Sequence, residues 1–165
     1  MATRREFLTT TGTVLGASAL PLGRVWATPK SDVSAAVEPE SLVKTLYESL
    51  SPKQREAVCF DWNYTEQERG LLRTRVANNW DITEPYINSE FYTDDQRAMI
   101  RGIFEGIYAP EWHAKIDKQL EDDSGGYGET NTIAIFGTPG SEEFKFVLTG
   151  RHMTVRCDGN STPHM

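Results

Sequence analysis

The sequence is poor in the residues from which most metal sites and nucleophilic sites are built. Its 165 residues include only two cysteines and three histidines. It contains no HExxH, CxxC or GxSxG motif, no phosphate-binding P-loop and no dinucleotide-binding glycine pattern. These absences exclude a disulfide-dense scaffold and the motif-bearing classes of zinc enzyme, hydrolase and nucleotide-binding protein.

Basic residues are scarce as well. The chain has 17 Lys and Arg against 24 Asp and Glu, a formal net charge of −7. The first 27 residues hold three of the basic and one of the acidic residues, so the remainder carries 14 basic and 23 acidic side chains. An acidic body repels phosphate backbones and anionic lipids, so we expect no nucleic-acid partner and no membrane-surface role.

The N-terminus carries the most specific motif in the chain. Arg4 and Arg5 are adjacent, and Phe7 and Leu8 follow within the sequence TRREFL. An uncharged stretch then runs to Gly23 and is diluted by Thr and Gly, which suits export better than a stable membrane anchor. This start resembles the twin-arginine export signal; a chance basic amphipathic start is the alternative.

The resemblance implies a signal peptide over residues 1–27, cleaved after Ala27 of the VWA sequence. No cysteine lies near that point, so lipid anchoring is not expected. The resemblance further implies the twin-arginine export machinery as a partner and a periplasmic or extracellular location. It assigns no cofactor, and the cofactor stays unknown.

The first half of the remaining chain is predicted to be helical. Residues 28–39 are small and polar and contain proline, which is typical of a flexible tether, and apolar residues recur at one-face helical spacing from Glu40. Pro110 separates the longest helix, which begins at Asp94, from the helix that follows. Capping boxes predict three helix starts, at Ser51–Gln54, Thr65–Glu68 and Thr93–Gln96.

One stretch in this half alternates instead. Residues 72–76 read Leu-Arg-Thr-Arg-Val, and this period of two predicts a strand that meets a turn at Asn78-Asn79. Arg73 and Arg75 would then share a polar face, where they could bind an anionic ligand. Salt bridges to the acidic body explain the two arginines equally well.

The last third is predicted to be a sheet. TNTIAIFG is typical of a strand and TPGSEE of a turn, and in FKFVLTGRHMTVRC the apolar residues change from even to odd positions. A two-residue turn at Gly150-Arg151, flanked by Thr149 and His152, would bring both sets onto one buried face. A bulge at Gly150 is the alternative. The predicted pairs are Leu148 with Met153, Phe146 with Val155 and Phe144 with Cys157.

These patterns together predict an α+β fold. Helices from about Glu40 to Asp123 would pack on a small antiparallel sheet formed by the C-terminal third, in a single domain spanning 40–165. The strand after the turn would be an open edge, through which the chain could self-associate.

The two cysteines, Cys59 and Cys157, could pair in an oxidising compartment. Each lies in an apolar pattern that fits the core, and a domain of this size folds without a covalent link. Two buried thiols are therefore preferred to a disulfide.

His152 is the strongest candidate for chemistry. It would be displayed at the predicted turn beside Arg151, where its imidazole could be a general base or a metal ligand. A surface histidine, or one hydrogen-bonded for structure, is the alternative. His113 is expected to be a half-buried packing residue, His164 lies in the C-terminal tail, and the acidic residues within 111–123 are expected to form a solvated helix face.

Four segments carry a family resemblance: SLSPKQREAVCF, NNW, EFYTDDQ and FGTPGSEEFKFVLTGRHMTVRCDGN. They resemble a mostly bacterial family, the domain of unknown function numbered 3500, from about Leu50 to the end of the chain. Gly150, Arg151 and His152 match its most specific motif, which is Gly, then His or Arg, then His, placed just before a strand. Members of that family are longer, which implies that this chain is an N-terminal portion of the family domain. The family implies no established reaction.

Two functions from different classes remain. The first is an exported, non-catalytic binding or structural module. The second is an exported metal-dependent or His-assisted enzyme, hydrolase-like, that is completed by a missing C-terminal segment. One candidate site histidine in a short chain favours the first.

Overall fold

A computed structural model of the chain describes residues 38–159. The predicted signal peptide, most of the predicted tether and the C-terminal tail lie outside these residues. The helices of the described part are α1 (Pro39–Ser49), α2 (Pro52–Val58), α3 (Asp94–Ile107) and α4 (Pro110–Ser124). The strands are β1 (Cys59–Phe60), β2 (Thr65–Glu66), β3 (Gly70–Leu71), β4 (Thr132–Gly137), β5 (Phe144–Gly150) and β6 (Met153–Cys157).

Two of the three predicted capping boxes are confirmed, and they contact each other. Ser51 and Thr93 each accept a hydrogen bond from the backbone N–H three residues on, and the side-chain oxygen of the glutamine at that position accepts one from the backbone N–H of the cap residue. The two glutamines, Gln54 and Gln96, are buried and hydrogen-bond side chain to side chain, with Gln54 Nε2 2.8 Å from Gln96 Oε1. The starts of α2 and α3 are therefore joined by satisfied polar groups inside the protein.

The third predicted capping box, at Thr65–Glu68, is wrong. Thr65 and Glu66 form β2, which pairs antiparallel with β3 in a small two-stranded sheet. Gly70 has a φ of +70° and Glu66 forms an ion pair with Arg69, so a tight turn replaces the predicted helical start.

The predicted strand at residues 72–76 is also wrong. Leu72–Thr74 form a 3₁₀ helix in which Leu72 is buried, whereas Val76 is 68% exposed. The Arg73 guanidinium lies 4.0 Å from the centre of the Trp62 ring, and its Nε donates to the Trp62 carbonyl. The alternation therefore reflects one buried leucine and a stacked arginine rather than a ladder of strand hydrogen bonds.

The α+β class is confirmed: the helices α1 to α4 precede the three long strands of a four-stranded sheet. The sheet order is β1-β4-β5-β6. The three strands of the C-terminal third, β4 to β6, pair antiparallel as predicted. β1, which was not predicted, adds to them parallel to β4, so the whole sheet is mixed. The parallel strand comes from the helical half, where Cys59 leaves α2 in an extended conformation.

Both faces of this sheet are covered. Phe146, Leu148 and Ile135 face the main core, which α1 and α3 share through Leu46 and Ile103. The opposite faces of β4 and β5 carry a second, smaller core built with the 3₁₀ helix and the loop before α3; its buried members are Leu72, Ile82, Ala134, Phe136 and Val147. Every residue of β5 is buried as a result.

The predicted hairpin is confirmed, but its turn lies one residue further on. Gly150 pairs with Met153, so Arg151 and His152 are the turn residues, and the pairs are Leu148 with Val155 and Phe146 with Cys157. This register differs from the predicted one by two residues, which leaves the same side chains on the same face.

Crowding explains why residue 150 is a glycine although it does not lie in the turn. A Cβ atom on Gly150 would lie 2.3 Å from Nδ2 of the buried Asn131, so this glycine serves close packing within β5 rather than the reversal. His152 takes the positive φ of 54°. Thr149, which was predicted to flank the turn, is buried. The Ile82 N–H donates to two hydroxyl oxygens, Oγ1 of Thr149 and Oγ1 of Thr132.

The two cysteines are free thiols, as predicted, although Cys59 is only half-buried. Cys59, Ile135, Phe146 and Cys157 are partners in one row across all four strands. Three strand spacings separate the two cysteines by about 14 Å, far beyond the reach of a disulfide. Burial raises the pKa of the Cys59 thiol to about 11 and that of Cys157 to about 12, so both stay protonated at neutral pH.

Among the helices of residues 38–159, we find none with the length and apolar character that crossing a bilayer requires.

Candidate functional site

His152 and Arg151 lie together at the tip of the β5–β6 hairpin, and both contact the end of α4. Arg151 Nε donates to Asp123 Oδ1 at 2.9 Å, and His152 Nδ1 donates to Asp123 Oδ2 at 2.8 Å. Both oxygens of one carboxylate are therefore engaged, each by a different residue of the turn. We call Asp123, Arg151 and His152 the hairpin-tip cluster.

Two backbone features bring the cluster together. α4 ends at Ser124 with Gly125 in the left-handed region as its C-cap, which places Asp123 in the last helical turn. The His152 N–H donates to the Asn78 carbonyl at 2.7 Å, and Arg151 forms an isolated bridge with Asn79. The positive φ of His152 is thus held by contacts on its backbone and on its ring.

The cluster is open to solvent, as predicted for His152. The side chains of Arg151 and His152 are 49% and 44% exposed, and that of Asp123 is 26% exposed. The hydrogen bond from Arg151, and then the one from His152, lower the pKa of the Asp123 carboxyl below its ordinary value of 3.8. Asp123 is therefore ionised at neutral pH and holds the proton on Nδ1 of the imidazole.

This orientation leaves Nε2 of His152 as the available ring nitrogen. Two shallow cavities of about 300 and 400 Å³ adjoin the ring. The smaller is lined by residues such as Tyr108, Met153 and Thr154, and the larger by Lys115 and Lys118. Chemically, the arrangement can accept a proton at Nε2 or donate a single imidazole ligand.

A complete metal site is not found in the described part of the chain. Residues 38–159 contain no group of three or more His, Cys, Asp or Glu side chains placed to hold a metal ion. Met153, adjacent to His152, belongs to the hairpin ladder and packs against the main core.

The other predicted residues do not join the cluster. His113 is half-buried, as expected, and its Nε2 lies 3.0 Å from the Glu105 carbonyl and 3.2 Å from the Tyr108 carbonyl. The signal residues and the predicted cleavage point, together with His164, lie outside the described residues: Arg4, Arg5, Phe7, Leu8 and Ala27.

Arg73 and Arg75 do not share the polar face of a strand, and the salt bridges proposed for them do not form within residues 38–159. Neither side chain forms an ion pair there; both donate to backbone carbonyls, Arg73 to Trp62 and Arg75 to Arg69. The Arg156 guanidinium of β6 donates in turn to the carbonyls of Arg73 and Arg75. These arginines fasten the loop to the second face of the sheet.

The prediction of a solvated acidic face on α4 missed two contacts that join α4 to other elements. Asp117 accepts two hydrogen bonds from Arg101 of α3 at 2.7 and 2.8 Å, and Asp123 anchors the hairpin tip. The Arg101 contact lowers the pKa of Asp117. Only the distance along the chain hid Asp123, since its partners lie 28 and 29 residues away.

A second concave region was not predicted at all. It is a cleft of about 590 Å³ beside β1, lined by aromatic side chains and by Asp61 and Glu143. A possible signal was the sequence FDWNY at 60–64, which alternates aromatic and polar residues.

Comparison of the chain with protein-family models, with curated proteins and with solved structures found no match. The resemblance to family 3500 therefore stays a prediction.

Proposed function

We propose that this chain is an exported, non-catalytic binding or structural module. The observation that carries the proposal is the use made of the hairpin-tip cluster. The two carboxylate oxygens of Asp123 accept hydrogen bonds, one from Arg151 and one from His152. These contacts hold the β5–β6 turn against the end of α4. The residues that the sequence marks as candidates for chemistry thus have a structural role in the fold.

An enzyme is the second candidate, and one observation favours it. Asp123 holds His152 with its Nδ1 proton directed at the carboxylate, which leaves Nε2 to accept a proton or to bind a metal. Such an enzyme would need further residues from outside the described part, as a longer member of family 3500 would supply.

The metal content of the purified protein separates the two candidates. We expect protein isolated after export to contain no stoichiometric metal, and we expect His152→Ala and Asp123→Asn to lower the unfolding temperature slightly by freeing the hairpin tip. Elemental mass spectrometry and thermal unfolding measure both quantities.

Lys115→Ala, an exposed change on α4 beside one cavity, is the control for the helix surface. Stoichiometric metal in the wild-type chain that is lost in folded His152→Ala would overturn the module and support the enzyme.

The export part of the proposal rests on Arg4 and Arg5 together with Phe7 and Leu8. Replacing both arginines with lysine keeps the charge and should abolish export, because the pathway recognises the arginine pair. Cell fractionation followed by immunodetection measures this. Undiminished export of the lysine variant would show that another route is used.

Self-association through β6 belongs to the same proposal. Within residues 38–159, β6 is an outer strand of its sheet and pairs on one side only, with β5. A second copy that adds to this edge would satisfy its outward backbone groups. Light scattering should then report the mass of a dimer at high protein concentration. A monomer mass at every concentration would contradict self-association through β6.

A further inference from the structure

The cleft beside β1 is a cavity that the hairpin-tip cluster does not use. Its volume is about 590 Å³, enough for a small organic molecule. One wall is the segment that follows β1, and the other is the turn between β4 and β5. The lining residues are Tyr47, Cys59, Phe60, Asp61, Trp62, Tyr64, Gly137, Thr138, Ser141 and Glu143.

The aromatic part of the cleft is held in place by the sheet. Phe60 stacks on Phe136 of β4 with ring centres 5.4 Å apart, and it contacts Tyr64 at 4.7 Å. The Tyr64 N–H donates to the Asp61 carbonyl at 3.0 Å, which closes a turn that brings Tyr64 back over Phe60. Tyr64 remains 36% exposed. The aromatic rings are thus preorganised and accessible.

The charged part of the cleft is negative. Asp61 and Glu143 are both exposed, and within residues 38–159 neither side chain has a hydrogen-bond or ion-pair partner. Among residues 38–159, no Lys, Arg or His lines the cleft. The remaining polar lining includes the Thr138 and Ser141 hydroxyls and the Cys59 thiol, whose burial raises its pKa to about 11 and keeps it neutral.

Two rings of the lining already interact with cations elsewhere in the protein. The Arg73 guanidinium lies 4.0 Å from the centre of the Trp62 ring, and the Arg55 guanidinium lies 4.5 Å from the centre of the Tyr47 ring. Neither arginine lines the cleft. Each arginine is half-buried and covers one face of its ring, so both rings already stabilise a cation by cation–π attraction.

We propose that this cleft binds an organic ammonium ion that carries apolar substituents. The rings supply stacking surface and cation–π attraction, and Asp61 and Glu143 supply the opposite charge. An anionic ligand is repelled by the two carboxylates. A neutral polyol would leave both charges uncompensated, so its binding is weaker than that of a cation of the same size. The proposal rests on the chain being a binding module and names the class of its ligand.

Titration with choline tests the proposal. The probe is the full chain labelled with ¹⁵N, and the readout is the shift of the Trp62 indole and of the backbone amides of residues 59–64. We expect a dissociation constant in the millimolar range, because cation–π contacts at solvent-exposed sites are individually weak and the two carboxylates are exposed. Its neutral isostere, 3,3-dimethylbutanol, should bind at least about tenfold more weakly because it lacks the positive charge. Sodium chloride at matched concentration controls for ionic strength.

Charge-removing variants locate the site. Asp61→Asn and Glu143→Gln should each weaken choline binding several-fold, because each keeps the shape of the lining and removes one negative charge. Glu84→Gln is the matched control: it removes one exposed carboxylate that does not line the cleft, so choline binding should be unchanged.

Three results would overturn the proposal: equal binding of choline and its isostere, binding of glucose or cellobiose in preference to choline, or no response in these residues of the folded protein. Each of these results would contradict the proposed class of ligand. None of them would contradict the non-catalytic module, because metal content and the His152→Ala variant test that proposal.

Discussion

Replacing Asp158 with asparagine is expected to destabilise the fold by about 3 kcal/mol, the lower end of the cost of breaking a buried ion pair by removing one partner. Lys145 is the reason. It lies on β5 opposite Phe136, its side chain is only 1% exposed, and its Nζ is 3.2 Å from Asp158 Oδ2. Asparagine keeps the shape of the partner but removes the charge that compensates the buried ammonium. Denaturant unfolding measures the loss.

The two partners should respond unequally. Asp158 is 22% exposed and is hydrated when left alone, whereas Lys145 is enclosed by the sheet and the second core. Lys145→Met is therefore expected to cost less than about 1 kcal/mol, because it replaces the buried charge with an apolar chain of similar length. Adding Asp158→Asn to Lys145→Met should cost almost nothing more.

This double-mutant cycle makes the explanation testable. If Asp158→Asn costs the same whether residue 145 is Lys or Met, the pair is not coupled and the buried charge is not the cause. If Lys145→Met is the more damaging single change, the ion pair itself stabilises the fold, contrary to the expected asymmetry.

Gly137→Ala is expected to destabilise the fold by about 3 kcal/mol or more. Gly137 ends β4 with a φ of +68°, and an added Cβ would lie 2.2 Å from the carbonyl oxygen of Glu143. Alanine in this conformation costs about 1–2 kcal/mol by itself. The contact then forces the β4–β5 turn to move, and that turn is one wall of the cleft beside β1.

Gly70→Ala is the matched control. Gly70 has a φ of +70°, nearly the same as Gly137, but a Cβ there would have no neighbour within 4 Å. The loss of unfolding free energy in Gly70→Ala should come only from the left-handed backbone conformation, about 1–2 kcal/mol. Equal losses of unfolding free energy in the two variants would show that the contact with Glu143 contributes nothing.

The features that the sequence predicted correctly are local. The capping boxes at Ser51 and Thr93 each depend on a residue three positions away, and the helix α3 shows its buried face as a regular repeat. The hairpin was predicted only from the change of apolar residues from even to odd positions, since side chains on a strand alternate between two faces. A register shift of two residues leaves every side chain on the same face of the sheet. The buried face was therefore predicted correctly although the turn was placed one residue too early.

The features that were missed have two causes, a competing local structure and contacts far along the chain. Thr65 carries the same capping signature as Ser51 and Thr93, but residues 65–71 form a small antiparallel pair instead. Leu72 is buried by the second face of the sheet, whose strands begin some sixty residues later. At residues 65–71 another local structure formed in place of the cap, and at Leu72 packing against a distant surface outweighed a weak local preference.

By itself, the sequence determined the α+β class, the order of helices before strands, two helix caps and the faces of the hairpin, because hydrogen bonds and side-chain periodicity over a few residues are sufficient for these. Only the tertiary structure decided that β1 runs parallel to β4, that Asp123 meets Arg151 and His152, and that Lys145 is buried against Asp158. Those contacts join residues on different elements, and their geometry exists only once the sheet has assembled.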